Sequence, residues 1–187
     1  MKIFLNILLM TFLVFLAIPG QNASAHSCKS YDESYGYVID CNNHSGNAFI
    51  QYNTSVNSTY ASYITGGENK WNNTGVVAIS KAPGYSPNFI HTFSDPNDDA
   101  NASFYNYTSD SSGHLTKWSI KLNTSNMGGR TPEQNRNTLA HEFGHVIGLN
   151  DLTQSRNLGV LMYGFANRTA TGPTSSDITG ANRALGN

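Results

Sequence analysis

His141-Glu142-Phe143-Gly144-His145-Val146-Ile147-Gly148-Leu149-Asn150-Asp151 is the stretch on which the reading of this 187-residue chain turns. Just upstream, Thr131 is a good helix N-cap, Pro132 suits the first helical position, and Gln134 stands where a capping box needs it. Leu139, Phe143, Val146 and Ile147 recur at spacings of three and four, the stripe of a helix buried along one side. His141 and His145 are four apart, so both imidazoles project from one face and can reach a single metal ion. Glu142 lies about 100° further round the helix, beside such a metal, where a general base belongs. Gly148 can adopt the left-handed conformation that stops a helix and reverses the chain. That reversal brings Asp151 back toward the two imidazoles as a third ligand. The competing reading is a buried amphipathic helix with two incidental histidines.

Taken with Gly148 and Asp151, these residues resemble the metzincin zinc-peptidase signature, HExxHxxGxx followed by a third ligand. That ligand is usually histidine, but it is aspartate in the small snapalysin-type bacterial proteases, and Asp151 stands at the same offset. Downstream, Val160-Leu161-Met162-Tyr163-Gly164 resembles the Met-turn in its matrixin version. The resemblance implies one catalytic zinc held by His141, His145 and Asp151, with Glu142 as base and Met162 beneath the metal. It implies protein or peptide substrates and an α+β domain, a twisted mixed five-stranded sheet with three helices and the zinc in a cleft. Tyr163 directly follows the methionine, as in matrixins, which implies a place in the specificity-pocket wall with Gly164 and Phe165. Matrixins carry proline where Gly164 stands.

The residues themselves narrow the third ligand. No histidine follows His145, and the acidic residues after Glu142 are Asp151 and Asp177 alone. A thermolysin-like site needs a downstream glutamate, and there is none. Asp177 reads as a first-turn residue of the last helix, where acids favour the helix dipole.

The ends of the chain carry other signals. Lys2, an apolar run from Ile3 to Ile18, then Pro19-Gly20 and Ala23-Ser24-Ala25 form the order of a secretory signal peptide, 1–25, cleaved before His26. The run is shorter than the ~20 residues of a spanning helix, which argues against the competing membrane anchor. Residues 26–187 then form one catalytic domain, secreted, monomeric and without stable membrane association. Removing Lys2 leaves the chain one charge more negative than its formal −1, with no basic patch for nucleic acid. Cys28 and Cys41, the only cysteines, are expected to form one disulfide after export. The alternative is a thiolate latch on the zinc, as in matrixin pro-segments, but the motif that surrounds such a cysteine is missing.

Between these landmarks, strands are predicted at 37–39, 47–53, 75–81 and 88–93, with a hairpin of 102–108 and 115–122 turning at Asp110-Ser111-Ser112-Gly113. Helices are predicted at 57–72, where Gly66-Gly67 each weaken the pattern by about 1 kcal/mol, and at 175–185 after Thr174. Asp95, Asn97 and Asp99 are spaced like oxygen ligands of calcium, but the glycine and glutamate of an EF-hand are missing and a solvated turn is the favoured reading. His91 and His114 are candidates for a second metal site of the matrixin kind. In a metzincin-like arrangement substrate lies along the free edge strand, 102–108, with an apolar or aromatic residue preferred just past the cut. The reading from another class is a secreted binding or adhesion protein that keeps the scaffold without turnover, which has no use for Glu142.

Overall fold

Ile50 and Tyr52 alternate with Phe49 and Gln51, so strand β1 (Phe49–Thr54) buries the first pair and exposes the second. This and the following elements come from a computed structural model that describes residues 28–186; the predicted signal peptide lies outside the described residues. Helix α1 (Ser58–Asn72) follows, capped by the Asn57 side chain, which accepts from the backbone N–H of Tyr60. Strands β2 (Ala78–Lys81), β3 (Phe89–Phe93), β4 (Ala102–Ser109) and β5 (Leu115–Asn123) complete the strand set. A single-turn helix α2 (Thr124–Met127), α3 (Pro132–Ile147) and α4 (Ser175–Ala184) come last.

The strands form one five-stranded sheet in the order β2-β1-β3-β5-β4. β1 runs parallel to β2 and β3, and β3 parallel to β5, whereas β4 is antiparallel to β5 and has no neighbour on its other side. The expected α+β domain with a mixed five-stranded sheet and three longer helices is therefore present. α2 was not anticipated. The strand expected at 37–39 is reduced to a single antiparallel bridge between Ile39 and Leu149. β2 starts later than expected because Gly75 takes a left-handed φ of 75° and closes the turn after α1.

One face of the sheet, with Ile50, Ile79, Ile90, Ile120 and Leu122, packs against α1 and α3. From α3 come Leu139, Phe143, Val146 and Ile147, all fully buried. Gly67 in α1 is explained by this contact: a Cβ there would lie 2.6 Å from Leu139 Cβ and 2.9 Å from the backbone nitrogen of Ala140, while Gly66 lies against the Arg136 side chain. Trp71, fully buried, donates its indole N–H to the Ala140 carbonyl at 2.7 Å. α1 thus fixes α3 one residue before His141.

The chain before β1 wraps the far end of α3. Cys28 and Cys41 are joined in a disulfide. The loop they close carries Tyr37 and Ile39 into a small cluster with Ala184 of α4. Glu33 in the same loop accepts from Thr153 N at 2.9 Å, Thr153 Oγ1 at 2.8 Å and Gln154 N at 2.9 Å. No described residues form a helix long and apolar enough to cross a membrane.

Between β1 and α1, Tyr52 donates its hydroxyl to Glu68 Oε1 at 2.6 Å, and Glu68 is buried. Burial pushes the Glu68 carboxyl above its ordinary value, with the Tyr52 bond opposing. Folded Glu68 then holds its proton more tightly than the unfolded chain does. Stability therefore falls as pH rises from the ordinary glutamate range through the raised folded value, and the loss is complete above it. Glu68→Gln, which keeps an acceptor for Tyr52, is expected to raise Tm at pH 7 and flatten that part of the Tm–pH curve. An unchanged or lower Tm at neutral pH would refute this.

Candidate metal centre and active site

The start of α3 follows local rules: the Thr131 hydroxyl accepts from Gln134 N at 3.2 Å and Gln134 Oε1 from Thr131 N at 2.9 Å, behind Pro132. Its end is set by Gly148, at φ 119°, whose N–H bonds to the carbonyls of Gly144 and His145. The reversed chain, 148–150, pairs with residues 38–40 through Asp40 N to Gly148 O and Asn150 N to Val38 O, both 2.9 Å. Asp151 follows directly.

A carbonyl oxygen can only accept, so a histidine nitrogen facing one must carry the proton. His141 Nδ1 donates to Leu161 O at 2.9 Å and His145 Nδ1 to Leu149 O at 2.7 Å. Both Nε2 atoms are thereby left as unprotonated donors. Asp151 Oδ1 stands 3.1 Å from His141 Nε2 and 3.7 Å from His145 Nε2. Donors around a tetrahedral zinc at bond lengths of ~2.0–2.1 Å are ~3.3 Å apart. The three ligand atoms, all within 4.8 Å of one another, fit one such ion. Burial, and repulsion from a charged His141, hold His145 below the usual histidine range, which favours the neutral ring a metal needs. Burial works to raise Asp151, but before an ion binds, bonding and attraction to the imidazoles in their protonated form outweigh it and keep its pKa low.

Met162, fully buried, lies against α3 between the histidines: a Cβ on Gly144 would stand 2.3 Å from its sulfur. Asp177 holds this turn from α4. Its Oδ2 accepts from Leu161 N at 3.1 Å, Thr174 N at 2.7 Å and Thr174 Oγ1 at 2.6 Å, and its Oδ1 from Met162 N at 3.1 Å. Burial pushes its carboxyl up against these four bonds. Asp177 therefore does more than face a helix dipole, which corrects the role expected from its position.

Gly164 has a two-part explanation. Its N–H donates to Leu152 O at 3.0 Å, a bond proline cannot make, and a Cβ there would lie 2.9 Å from the Asp151 carboxylate. Tyr163 is buried beside Phe165, ring centroids 5.2 Å apart, and lies outside the cavity wall, whereas Gly164 and half-exposed Phe165 line it.

That cavity, about 640 Å³, opens over the three ligands and buried Glu142. β4, at the free edge of the sheet, supplies one wall through Ala102, Ser103 and Phe104. Phe104 stacks on the His145 ring with centroids 6.1 Å apart. Burial pushes the Glu142 carboxyl up, against the pull of His145, and the charge of Asp151 adds to it while Arg168 opposes it. The remaining wall contains Arg130 and Arg168, neither of which the sequence brought forward. Nothing near Arg168 in sequence signals it; Arg130 could have been noticed as the residue before the cap.

Other expected sites do not assemble. Among the described residues, His141, His145 and Asp151 are the one group of three that could hold a metal. The calcium candidate 95–99 is a self-bonded turn: Asp95 Oδ1 caps Asn97 N at 2.9 Å, and Asn123 and Asn126 bind the loop's carbonyls. His114 sits against Asp110 and His44, remote from His91 on β3. With both cysteines in the disulfide, no free thiol remains among the described residues to serve as a latch.

No protein-family model matches the chain, and no curated protein does. Among solved structures the chain is similar to high choriolytic enzyme 1, a hatching-enzyme zinc protease of the medaka fish Oryzias latipes. The two are 15% identical, with 84% of this chain and 97% of that one covered and a TM-score of 0.46.

Asp177→Ala removes an acceptor shared by four donors and is expected to cost about 3 kcal/mol or more in denaturant unfolding. Gly164→Pro is expected to weaken zinc binding roughly tenfold or more, read by chelator competition, because it displaces Asp151 without touching a ligand. Wild-type zinc affinity in Gly164→Pro would contradict the packing argument.

Proposed function

We propose that this chain is a secreted, zinc-dependent endopeptidase of metzincin type. The observation that carries the reading is the convergence of His141 Nε2, His145 Nε2 and Asp151 Oδ1 beside a buried glutamate, in an open cleft along a free sheet edge. Secretion rests on the predicted signal peptide.

His141, His145 and Asp151, which line the cleft, would hold the ion. Zinc bound there supplies Lewis-acid activation of water and of the scissile carbonyl. Glu142, whose pKa burial and Asp151 raise against the pull of His145 and Arg168, takes the proton from the attacking water and returns it to the leaving amine. The exposed backbone of β4 pairs with an extended peptide and aligns it across the ligands without reading its sequence. Phe104, from the same strand, packs against His145 and limits water on that side.

Zinc content and casein hydrolysis, measured together, test the proposal. Wild type is expected to bind one zinc and cleave casein. Glu142→Ala is expected to keep the zinc and lose activity by about 10²–10⁴-fold. Asp151→Ala is expected to lose most of both. Zinc-loaded wild type that leaves casein and denatured mixed protein intact would sink the peptidase reading in favour of a binding protein.

A further inference from the structure

Arg130 and Arg168 line the same cavity as Glu142. Arg130 is anchored by Nε to Asn135 Oδ1 at 3.2 Å and by Nη2 to Thr138 Oγ1 at 3.3 Å and Gln134 O at 3.5 Å. Arg168 is anchored by Nη1 to Tyr163 O at 3.3 Å and by Nη2 to Asn137 O at 3.5 Å. Every one of these acceptors is neutral. Neither guanidinium takes part in a salt bridge among the described residues.

A guanidinium has five N–H donors, so these bonds leave both Nη1 protons of Arg130 unused, and Nε–H plus one proton on each terminal nitrogen of Arg168. Burial depresses the pKa of both side chains, and Arg130 adds its repulsion to Arg168. Glu142, Asp151 and Asp177 attract Arg168. Asp151 is committed to the metal and Asp177 to backbone N–H groups, so neither neutralises the pair. Of the other acids on the wall, Glu142 makes no salt bridge with either guanidinium and Asp99 is exposed. Two like charges in a partly desolvated pocket are costly unless an anion joins them, and the planar fork of arginine suits a carboxylate.

We propose that Arg130 and Arg168 form a carboxylate-binding subsite, so that the preferred substrate carries a carboxylate on the side of the cleaved bond that enters this pocket. The inference rests on the peptidase reading, under which this wall flanks the residue just after the cut. It replaces the apolar or aromatic preference expected from the sequence. Thr138, which anchors Arg130, lies three residues before His141, about 4.5 Å along the helix axis, so the subsite adjoins the ligands. The carboxylate has two sources, an Asp or Glu side chain or the free C-terminus of a short peptide.

The test uses full-length, zinc-loaded Glu142→Ala and a fluorescein-labelled alanine-rich peptide in four forms. Asp or Asn stands after the intended cut, and each version ends in a free acid or an amide. Fluorescence anisotropy is expected to show the carboxylate-bearing forms binding roughly tenfold or more tighter than the Asn amide. An advantage confined to the Asp forms identifies a side-chain subsite, and one confined to the free acids a terminal subsite. Adding Arg130→Gln or Arg168→Gln should remove the advantage without weakening the Asn amide. Arg168→Lys, which keeps the charge, should retain part of it and guards against a loop collapsed by Arg168→Gln. Equal affinity for all four peptides, or an advantage that survives Arg130→Gln together with Arg168→Gln, overturns the proposal. Wild-type hydrolysis of the Asn amide peptide reports on the peptidase reading separately. Cleavage without carboxylate preference sinks only the subsite, and carboxylate preference without cleavage of any peptide sinks only the peptidase.

Discussion

Two imidazoles on one helix face can aim Nε2 at a common point only if each ring is held from behind. Here both are held by backbone carbonyls, Leu161 O behind His141 and Leu149 O behind His145. Neither carbonyl belongs to α3. Leu161 is fixed because Asp177 of α4 binds its N–H and that of Met162. Leu149 is fixed by the left-handed turn at Gly148 and by the pairing of the following residues with 38–40. The helix carries the ligands, and the segments around it decide where they point.

The third ligand adds a steric condition. A carboxylate reaches less far from its backbone than an imidazole, so the loop carrying Asp151 must approach the metal closely. It does so against Gly164, where a side chain of any kind would meet the carboxylate and where the N–H is needed by Leu152. Ligand identity and the residue after Tyr163 are thus linked.

What could be read from the sequence was what local chemistry dictates. The capping box at Thr131 and Gln134, the apolar stripe of α3, the stop at Gly148 and the hairpin around Asp110–Gly113 depend on residues within a turn of one another. α1 was legible despite Gly66-Gly67, although the reason for the pair, Gly67 packed on Leu139 and Ala140 and Gly66 against Arg136, belongs to tertiary structure. The strand order was not legible, because parallel pairing leaves no turn signature to fix a neighbour. Asp177 looked like an ordinary first-turn acid because the backbone groups it binds lie 15 and 16 residues upstream. Arg168 sits in a loop with no periodicity, so only the folded cavity brings it beside Arg130, 38 positions earlier in the numbering. The spacing of Asp95, Asn97 and Asp99 suggested an ion where the loop instead satisfies itself through Asn123 and Asn126.

Glu33, within the Cys28–Cys41 loop, clasps Thr153 and Gln154, and Asp177 reaches the Met162 turn from the last helix. The metal centre is therefore tied both to the earliest and to the latest parts of the described chain. During synthesis, His141 and His145 emerge well before Asp177, so the turn behind His141 first has only its own backbone bonds, Leu152 N to Met162 O and Gly164 N to Leu152 O among them. The full set of anchors exists only once the first loop holds Thr153 and Gln154 and the final helix holds Leu161 and Met162.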